Sequence, residues 1–242
     1  RVAKEPDQME HIKENLERLK TEIAKICDKH KRPTSDITLV AVSKTFPPEA
    51  VVAAYACGHR EFGENRPQSL RDRFLEIKEE GISWHLVGAL QKNKFKYVVG
   101  KTALIHSIDS AETALGIDEF CRKRTLTQDI LIEVNTSGEW NKMGVSPALL
   151  PELLEATRSC QHIRITGLMT MAPLTSNEKV LKKSFSTLRT LRDTYQKSYP
   201  ELKHLSMGMS NDFQIALGEG ATILRIGTAI FGARTEPKTF RV

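Results

Sequence analysis

The amino-acid sequence predicts an α/β protein of the TIM type, a closed (β/α)8 barrel. Eight short, β-branched apolar segments alternate with longer amphipathic segments, which is the pattern of repeated strand–helix units. The strand segments are almost continuously apolar, as parallel strands buried on both faces are. A length of 242 residues also suits one barrel, which typically takes about 250. An open doubly wound sheet is the alternative architecture.

The elements follow one another without a break. A helix is predicted from about residue 6 to residue 30, with an apolar stripe made of Ile12, Leu16, Leu19, Ile23 and Ile26. The eight strands of a barrel from about 37 to 235 are predicted at 37–43, 60–64, 83–88, 104–108, 129–135, 163–169, 203–208 and 222–227. Helical stretches between them include 47–57, 110–123, 147–160 and 177–197. No linker rich in glycine, proline or serine appears, so residues 1–242 are expected to form a single domain.

Composition disfavours several classes of protein. The net charge of +6 comes from basic residues interleaved with acids along helices, which is typical of solvated helix faces and not of nucleic-acid binding. No apolar run approaches the roughly 20 residues of a membrane span. Four scattered cysteines without a CxxC pair favour a reducing compartment, and we expect the cytoplasm. The sequence does not begin with methionine, which leaves import into an organelle open.

In the stretch LVAVSKT, residues 39–45, an apolar strand is followed almost directly by a lysine, whose side chain ends in an amine. By strand alternation Lys44 shares a face with Val42 and Val40. If that face is the barrel interior, partial desolvation lowers the pKa of Lys44 and makes it a nucleophile for an aldehyde. The alternative is that Lys44 begins a loop and extends into water.

The eighth predicted strand carries a single charge, Arg225, which needs a polar or anionic partner if it points inward. Gly227 and Thr228 follow directly, at the start of a short helix. Loops after strands 7 and 8 are where barrels often bind phosphate, and these two residues suit that chemistry.

The loop after the seventh strand is polar. Gly208, Ser210, Asn211 and Asp212 suit a turn that donates to phosphate oxygens. A plain helix N-cap at Ser210 or Asn211 is the alternative.

Closure of a barrel would place strand 8 beside strand 1, and hence Arg225 near Lys44. A phosphate-binding turn beside a buried amine indicates a ligand that has a phosphate and an aldehyde. Pyridoxal 5'-phosphate (PLP) meets this description, and so does the sugar phosphate of a Schiff-base lyase. The lyase would need an acid near the lysine, for which Glu133 is the candidate.

Histidines in strands raise the question of a metal site. His85 and His106 lie in predicted strands, as Glu133 does, but no HxH or HExxH spacing is present. Hydrogen-bonded core histidines are therefore favoured, and no metal is expected. His59 and His204 are predicted near strand starts, the face associated with stability.

Seven motifs occur in a specific order. They are AVSKT (41–45), FGEN (62–65), WHLVGALQKNK (84–94), VNTSGE (134–139), GLMTM (167–171), LSMGMSNDF (205–213) and RIGTAIFGAR (225–234). In these motifs, from about residue 37 to the C-terminus, the chain resembles the YggS/PROSC family of PLP-binding proteins, also called the PLP homeostasis proteins. The resemblance implies the barrel of the alanine racemase N-terminal domain.

The resemblance also implies the roles of individual residues. Lys44 would hold PLP as a Schiff base, and Arg225 would face the pyridine nitrogen. The phosphate would be bound by Ser210, Gly227 and Thr228. Asn65 would lie near the ring, and Met207 and Met169 would line the pocket.

The implied role is PLP homeostasis, with binding rather than catalysis. PLP would be buffered or delivered, apo PLP-dependent enzymes are the expected recipients, and the protein would be a monomer or weak dimer. A slow PLP-dependent racemase or transaminase is the alternative, although the four tyrosines are predicted in helices and offer no second base. Departures from the family pattern lie at 66–69 and at Trp140 and Asn141.

Overall fold

The computed structural model describes residues 5–140 and 142–233, with side chains from Met9 onward. Asn141, the last motif residue Arg234 and the predicted end of the barrel at 235 lie outside the described residues. The expectation that residues 1–242 form a single domain stays a prediction.

Eight parallel strands close into a barrel in the described part of the chain. They are β1 (Thr38–Val42), β2 (Glu61–Glu64), β3 (Ser83–Leu86), β4 (Leu104–Ile108), β5 (Gln128–Glu133), β6 (Ile163–Met169), β7 (His204–Ser206) and β8 (Ile223–Ile226). Each strand pairs with its neighbour along the chain, and β8 pairs with β1. The predicted TIM-type (β/α)8 barrel is therefore confirmed, and the open sheet is excluded.

Helices lie between the strands and at both ends of the described chain. They are α1 (Glu5–Lys29), α2 (Pro48–Ala56), α3 (Pro67–Glu76), α4 (Phe95–Val98), α5 (Ala111–Arg122), α6 (Leu150–Ala156), α7 (Glu178–Tyr195), α8 (Phe213–Gly218) and α9 (Thr228–Phe231). α2 and α3 begin with proline, whose fixed φ and missing N–H suit the first position of a helix. The predicted opening helix is confirmed as α1.

Alternation along β1 separates two apolar clusters. Val40 and Val42 point into the barrel, where they join Leu104, Leu131, Met169 and Ile223. Leu39 and Ala41 point the other way, into the larger cluster between the barrel and its helices. The apolar interior cluster is small because polar side chains occupy other inward positions, and those polar positions form the candidate site.

The first helix lies against the part of the barrel that carries β8. Its predicted stripe is buried at Ile12, Leu16, Leu19 and Ile23, and partly buried at Ile26. It packs against α2, α8 and α9. The Asn15 side-chain amide donates to the Ile230 carbonyl oxygen at 3.0 Å, which fixes α1 to α9. α1 thus supports the helix that follows β8.

Among the described residues, no helix has the length and apolar character needed to cross a membrane.

We expect Leu16→Ala to destabilise the protein by about 2–5 kcal/mol, because it leaves a cavity between α1 and the barrel. Leu75→Ala is the matched control, since Leu16 is 1% exposed and Leu75 is 66% exposed. Urea unfolding of both variants measures the difference. Equal losses of unfolding free energy would show that α1 is not an integral part of the core.

Candidate functional site

The loops that follow β7 and β8 meet at the carboxyl end of the barrel. The hydroxyl of Thr228 donates to Ser210 Oγ at 3.1 Å, and the backbone amide of Ala229 donates to the same oxygen at 3.3 Å. A Cβ added to Gly227 would come within 3.1 Å of the Val42 carbonyl oxygen, so glycine allows β8 to end close to β1. Ser210, Gly227 and Thr228, predicted from the two loops after strands 7 and 8, are therefore brought together.

The N-cap residue of α8 belongs to the polar turn after β7. It is Asp212, so the alternative of an N-cap at Ser210 or Asn211 is wrong. Asp212 accepts a hydrogen bond from the Met209 amide at 2.6 Å, so its carboxylate closes the turn. Ser210 is directed to α9 instead, because the turn carries it toward β8.

Arg225 is a buried cation with polar partners, as predicted. Its guanidinium donates to Ser206 Oγ at 2.6 Å and to the Thr170 carbonyl oxygen at 2.9 Å. Burial lowers the pKa of Arg225 to about 10, against the attraction of Glu133 and Asp212. Arg225 therefore stays charged at neutral pH and places a fixed positive charge inside the barrel mouth.

Lys44 follows β1 at the same end of the barrel. Val40 is paired with Arg225 in the ladder between β1 and β8, so barrel closure brings the ends of these two strands together. Lys44 is partly exposed and lies in the turn two residues beyond the strand, and Thr45 beside it has a φ of 71°. A β-branched residue in the left-handed region is strained unless its surroundings hold it there.

A buried ion pair holds this turn. Arg73 donates to Glu64 Oε1 at 2.9 Å, and two further bonds reach the carbonyl oxygens of Ser43 at 3.2 Å and Phe46 at 2.6 Å. Ser43 Oγ also donates to Glu64 Oε1 at 2.8 Å. Arg73 thus binds the backbone on both sides of Lys44 and Thr45, which supports the strained turn.

Asn65 and Met207 differ in their placement. Asn65 lies directly after β2, is partly exposed, and packs through its backbone against Gly88, where a Cβ would overlap the Asn65 carbonyl group. Met207 has no exposed surface and belongs to the cluster between barrel and helices. Ser206 points inward in its place, so contact between Met207 and a ligand stays a prediction. Met169 lies in the interior cluster.

The strand histidines form hydrogen bonds within the barrel. His85 Nδ1 and His106 Nε2 are 2.9 Å apart, and His106 Nδ1 lies 2.8 Å from Ser206 Oγ. Both histidines are therefore hydrogen-bonded core residues, as the sequence favoured. His59 lies just before β2 and His204 is the first residue of β7, which confirms their predicted positions.

Glu133 ends β5 and is almost fully buried. Burial raises its pKa to about 7, with Arg225 acting in the opposite direction and Asp109 adding to the rise. A substantial share of Glu133 is therefore protonated at neutral pH, which limits how far it neutralises Arg225.

Sequence reasoning missed Ser206, Thr170, Arg73 and Glu64. The signal for Ser206 was a hydroxyl at the end of the short strand β7, directly before Met207, which the family resemblance implied as a pocket residue. The signal for Arg73 was a charge on the apolar face of α3, three residues after the buried Leu70. The hydrogen-bond partners of these residues lie on other elements of the fold, so no pattern in the neighbouring sequence indicates the contacts.

Comparison with known proteins gives a consistent result. The family model described as alanine racemase, N-terminal domain, matches residues 10–235. A pyridoxal phosphate homeostasis protein from Aquifex aeolicus is 44% identical over 222 residues, which is 91% of this chain and 97% of that protein.

Solved structures agree with these relatives. An unknown protein from Bifidobacterium adolescentis superposes with a TM-score of 0.88 at 31% identity, covering 95% of this chain and 98% of that one. PipY of Synechococcus elongatus, solved with PLP bound, superposes with a TM-score of 0.79 at 34% identity, covering 91% of this chain and 100% of that one. The resemblance drawn from the seven motifs is confirmed.

We expect Arg73→Met to destabilise the protein by about 3 kcal/mol or more, because it leaves the buried Glu64 carboxylate without its partner. Arg71→Met is the control, since Arg71 pairs with Asp72 on the exposed face of the same helix and should cost less than about 1 kcal/mol. Denaturant unfolding measures both. A loss at Arg73 no larger than that at Arg71 would contradict the role of the buried pair.

We expect Glu133 to make stability depend on pH. Its pKa is about 7 in the folded protein and about 4.5 in the unfolded chain, so the folded state binds more protons between these values. Its contribution to the unfolding free energy therefore falls as pH rises through this window. Relative to the wild type, Glu133→Gln should gain on the order of 3 kcal/mol between pH 4.5 and pH 7. Parallel stability curves for the two proteins would refute this.

Proposed function

Because the chain belongs to the family of pyridoxal phosphate homeostasis proteins, we propose that it binds PLP covalently through Lys44 and serves to hold, buffer or deliver this cofactor. One observation carries the proposal. The ends of β1, β7 and β8 bring together the turn with Lys44, the buried cation Arg225 and the hydroxyl pair of Ser210 and Thr228.

The residues present fit the chemical groups of PLP. The hydroxyls of Ser210 and Thr228 lie 3.1 Å apart and offer donors and acceptors to a phosphate. Gly227 keeps the adjacent backbone free of a side chain. Lys44 supplies the amine for the aldehyde, and Asn65 supplies an amide at the end of the neighbouring strand β2.

The charge of Arg225 would influence how strongly a bound pyridine ring accepts electrons. When bound, PLP supplies an aldehyde that reacts with amines and a pyridine ring that accepts electrons. A permanent cation facing the pyridine nitrogen disfavours protonation of that nitrogen, and an unprotonated ring is a weaker electron acceptor. Arg225 can fill this position because Ser206 and Thr170 use only part of its five N–H donors. This arrangement suits retention of the cofactor better than catalysis.

The position of the tyrosines supports binding over racemisation. Tyr55, Tyr97 and Tyr195 lie in helices, whereas Tyr199 lies in the turn after α7 and not in a helix as predicted. The hydroxyl of Tyr55 donates to the Glu80 carbonyl oxygen, and that of Tyr199 to Glu155. These tyrosines do not follow the carboxyl ends of strands, so the proposal includes no second catalytic base.

The proposal extends to partners and location. Apo PLP-dependent enzymes would receive the cofactor, the protein would act as a monomer or weak dimer, and its compartment would be the cytoplasm. Trp140 and Leu174, in the loops after β5 and β6, are almost fully exposed on the face that carries the site. Such side chains suit transient contact with another protein during transfer.

We expect purified protein mixed with PLP to gain a visible absorbance band, which borohydride reduction fixes onto the peptide containing Lys44. Lys44→Arg should lose the band, because an arginine in this turn keeps the charge but removes the reactive amine. Lys94→Arg, in the loop after β3, is the control and should keep it. Absorbance and peptide mass mapping give the readouts.

Two results would count against the proposal. A protein that stays colourless with PLP would overturn it and favour a cofactor-free lyase. A label fixed on another lysine, with Lys44→Arg unaffected, would overturn the assignment to Lys44.

A further inference from the structure

A chain of hydrogen bonds crosses the barrel interior and ends at Arg225. Arg225 on β8 donates to Ser206 on β7 at 2.6 Å, and Ser206 lies 2.8 Å from His106 on β4. His106 is 2.9 Å from His85 on β3, and His85 is 2.8 Å from Glu61 Oε2 on β2. Two sides of the barrel are thereby linked, since β7 and β4 are not neighbours in the sheet.

Burial differs along this chain. Ser206 and His106 have no exposed surface, whereas the Glu61 side chain at the far end is 35% exposed. Glu61 opens β2, so it lies at the amino end of the strands, opposite the candidate site. The chain thus runs from the mouth of the barrel to its other end.

Donor and acceptor roles fix the direction of the chain. Arginine only donates and carboxylate only accepts. Ser206 Oγ accepts from Arg225, and its single O–H can donate to His106 Nδ1 when that nitrogen carries no proton. Neutral His106 then carries its proton on Nε2 and donates to His85 Nδ1. His85 in turn donates from Nε2 to Glu61.

The electrostatics agree with a neutral His106. Burial lowers the pKa of His106 well below its usual value, and the nearby His85 and Arg225 lower it further. Hydrogen bonds that all point one way polarise one another. The carboxylate at the far end therefore strengthens Ser206 Oγ as an acceptor for Arg225.

Two carboxyl groups compete with Ser206 for the Arg225 guanidinium. The carboxyl groups of Glu133 and Asp212 both interact with its charge. Loss of Ser206 would remove the hydrogen bond from the β7 side that opposes movement of the guanidinium toward these groups. Among the residues that the structure describes, the Thr170 carbonyl oxygen would then be its remaining hydrogen-bond acceptor.

We propose that Ser206, His106 and His85 are positioning residues that hold the Arg225 guanidinium toward the pyridine nitrogen of PLP. The inference rests on the proposed function and deepens it. These residues act through Arg225 and do not touch the cofactor, whereas Glu61 anchors the chain at its far end.

The test compares Ser206→Ala with Ser107→Ala. Ser107 is the matched control, because it lies on β4 beside His106, is 4% exposed, and donates to the Gly88 carbonyl oxygen, which does not belong to this series of hydrogen bonds. Each variant loses one buried hydroxyl, and thermal unfolding of both measures how much stability each loses. Both are titrated with PLP whose pyridine nitrogen is labelled with ¹⁵N.

We expect Ser206→Ala to move the pyridine ¹⁵N resonance toward that of a protonated ring. The dissociation constant for PLP should rise roughly tenfold, since a hydrogen bond to a charged group is lost. Ser107→Ala should leave both at wild-type values. Glu61→Gln, remote and partly exposed, should shift the resonance in the same direction by less. Ser206→Thr keeps a hydroxyl and should therefore keep the pyridine ¹⁵N resonance at its wild-type position.

The possible outcomes distinguish a failure of the positioning role from a failure of the proposed function. If the wild type binds PLP and Ser206→Ala matches Ser107→Ala in resonance and affinity, the positioning role is overturned and the proposed function stands. If Ser206→Ala fails to fold, an unshifted resonance in Glu61→Gln overturns the positioning role. If the wild type does not bind PLP, the proposed function and this inference both fail.

Discussion

The hydrogen-bonded closure of β8 onto β1 is the constraint from which the site follows. Residues distant in sequence become neighbours only through this ladder, in which Val40 lies opposite Arg225 and Ala41 opposite Ile226. The same closure sets the end of β8 against the end of β1, where a side chain at Gly227 would crowd the Val42 carbonyl oxygen. The packing of α1 against α9, through Asn15 and Ile230, supports the segment that follows this junction.

Closure also determines how polar groups can be accommodated in the interior. A buried charge is tolerated only where hydrogen bonds replace those it made with water. Two separate networks do so here. Arg225 donates hydrogen bonds to Ser206 and Thr170. In the second network Arg73 pairs with Glu64 and donates to the backbone of the turn after β1. The first network fixes a cation and the second fixes the backbone that carries an amine.

Much of the fold could be predicted because most strand segments are short and rich in apolar and β-branched residues. The segments 104–108 and 163–169 matched β4 and β6 to the residue. The seventh strand was predicted as 203–208 but spans only His204–Ser206, because Gly208 adopts a φ of 98° and turns the chain. Apolar composition locates a strand, whereas its end is set by backbone conformation that composition does not encode.

The candidate site was predictable only in part, and the reason lies in the phase of alternation. Lys44 and Arg225 were found because Lys44 lies two residues beyond the apolar segment of β1 and Arg225 is the lone charge within β8. β7 offers only three residues, so alternation along it does not choose between Ser206 and Met207, and Met207 was expected to line the pocket because the family resemblance implied it. The geometry decides for serine, since an inward cation on β8 needs an acceptor from its neighbour, and methionine offers only a weak one. A lone buried charge thus predicts the polarity of the adjacent strand, and this constraint would have selected Ser206 from the sequence.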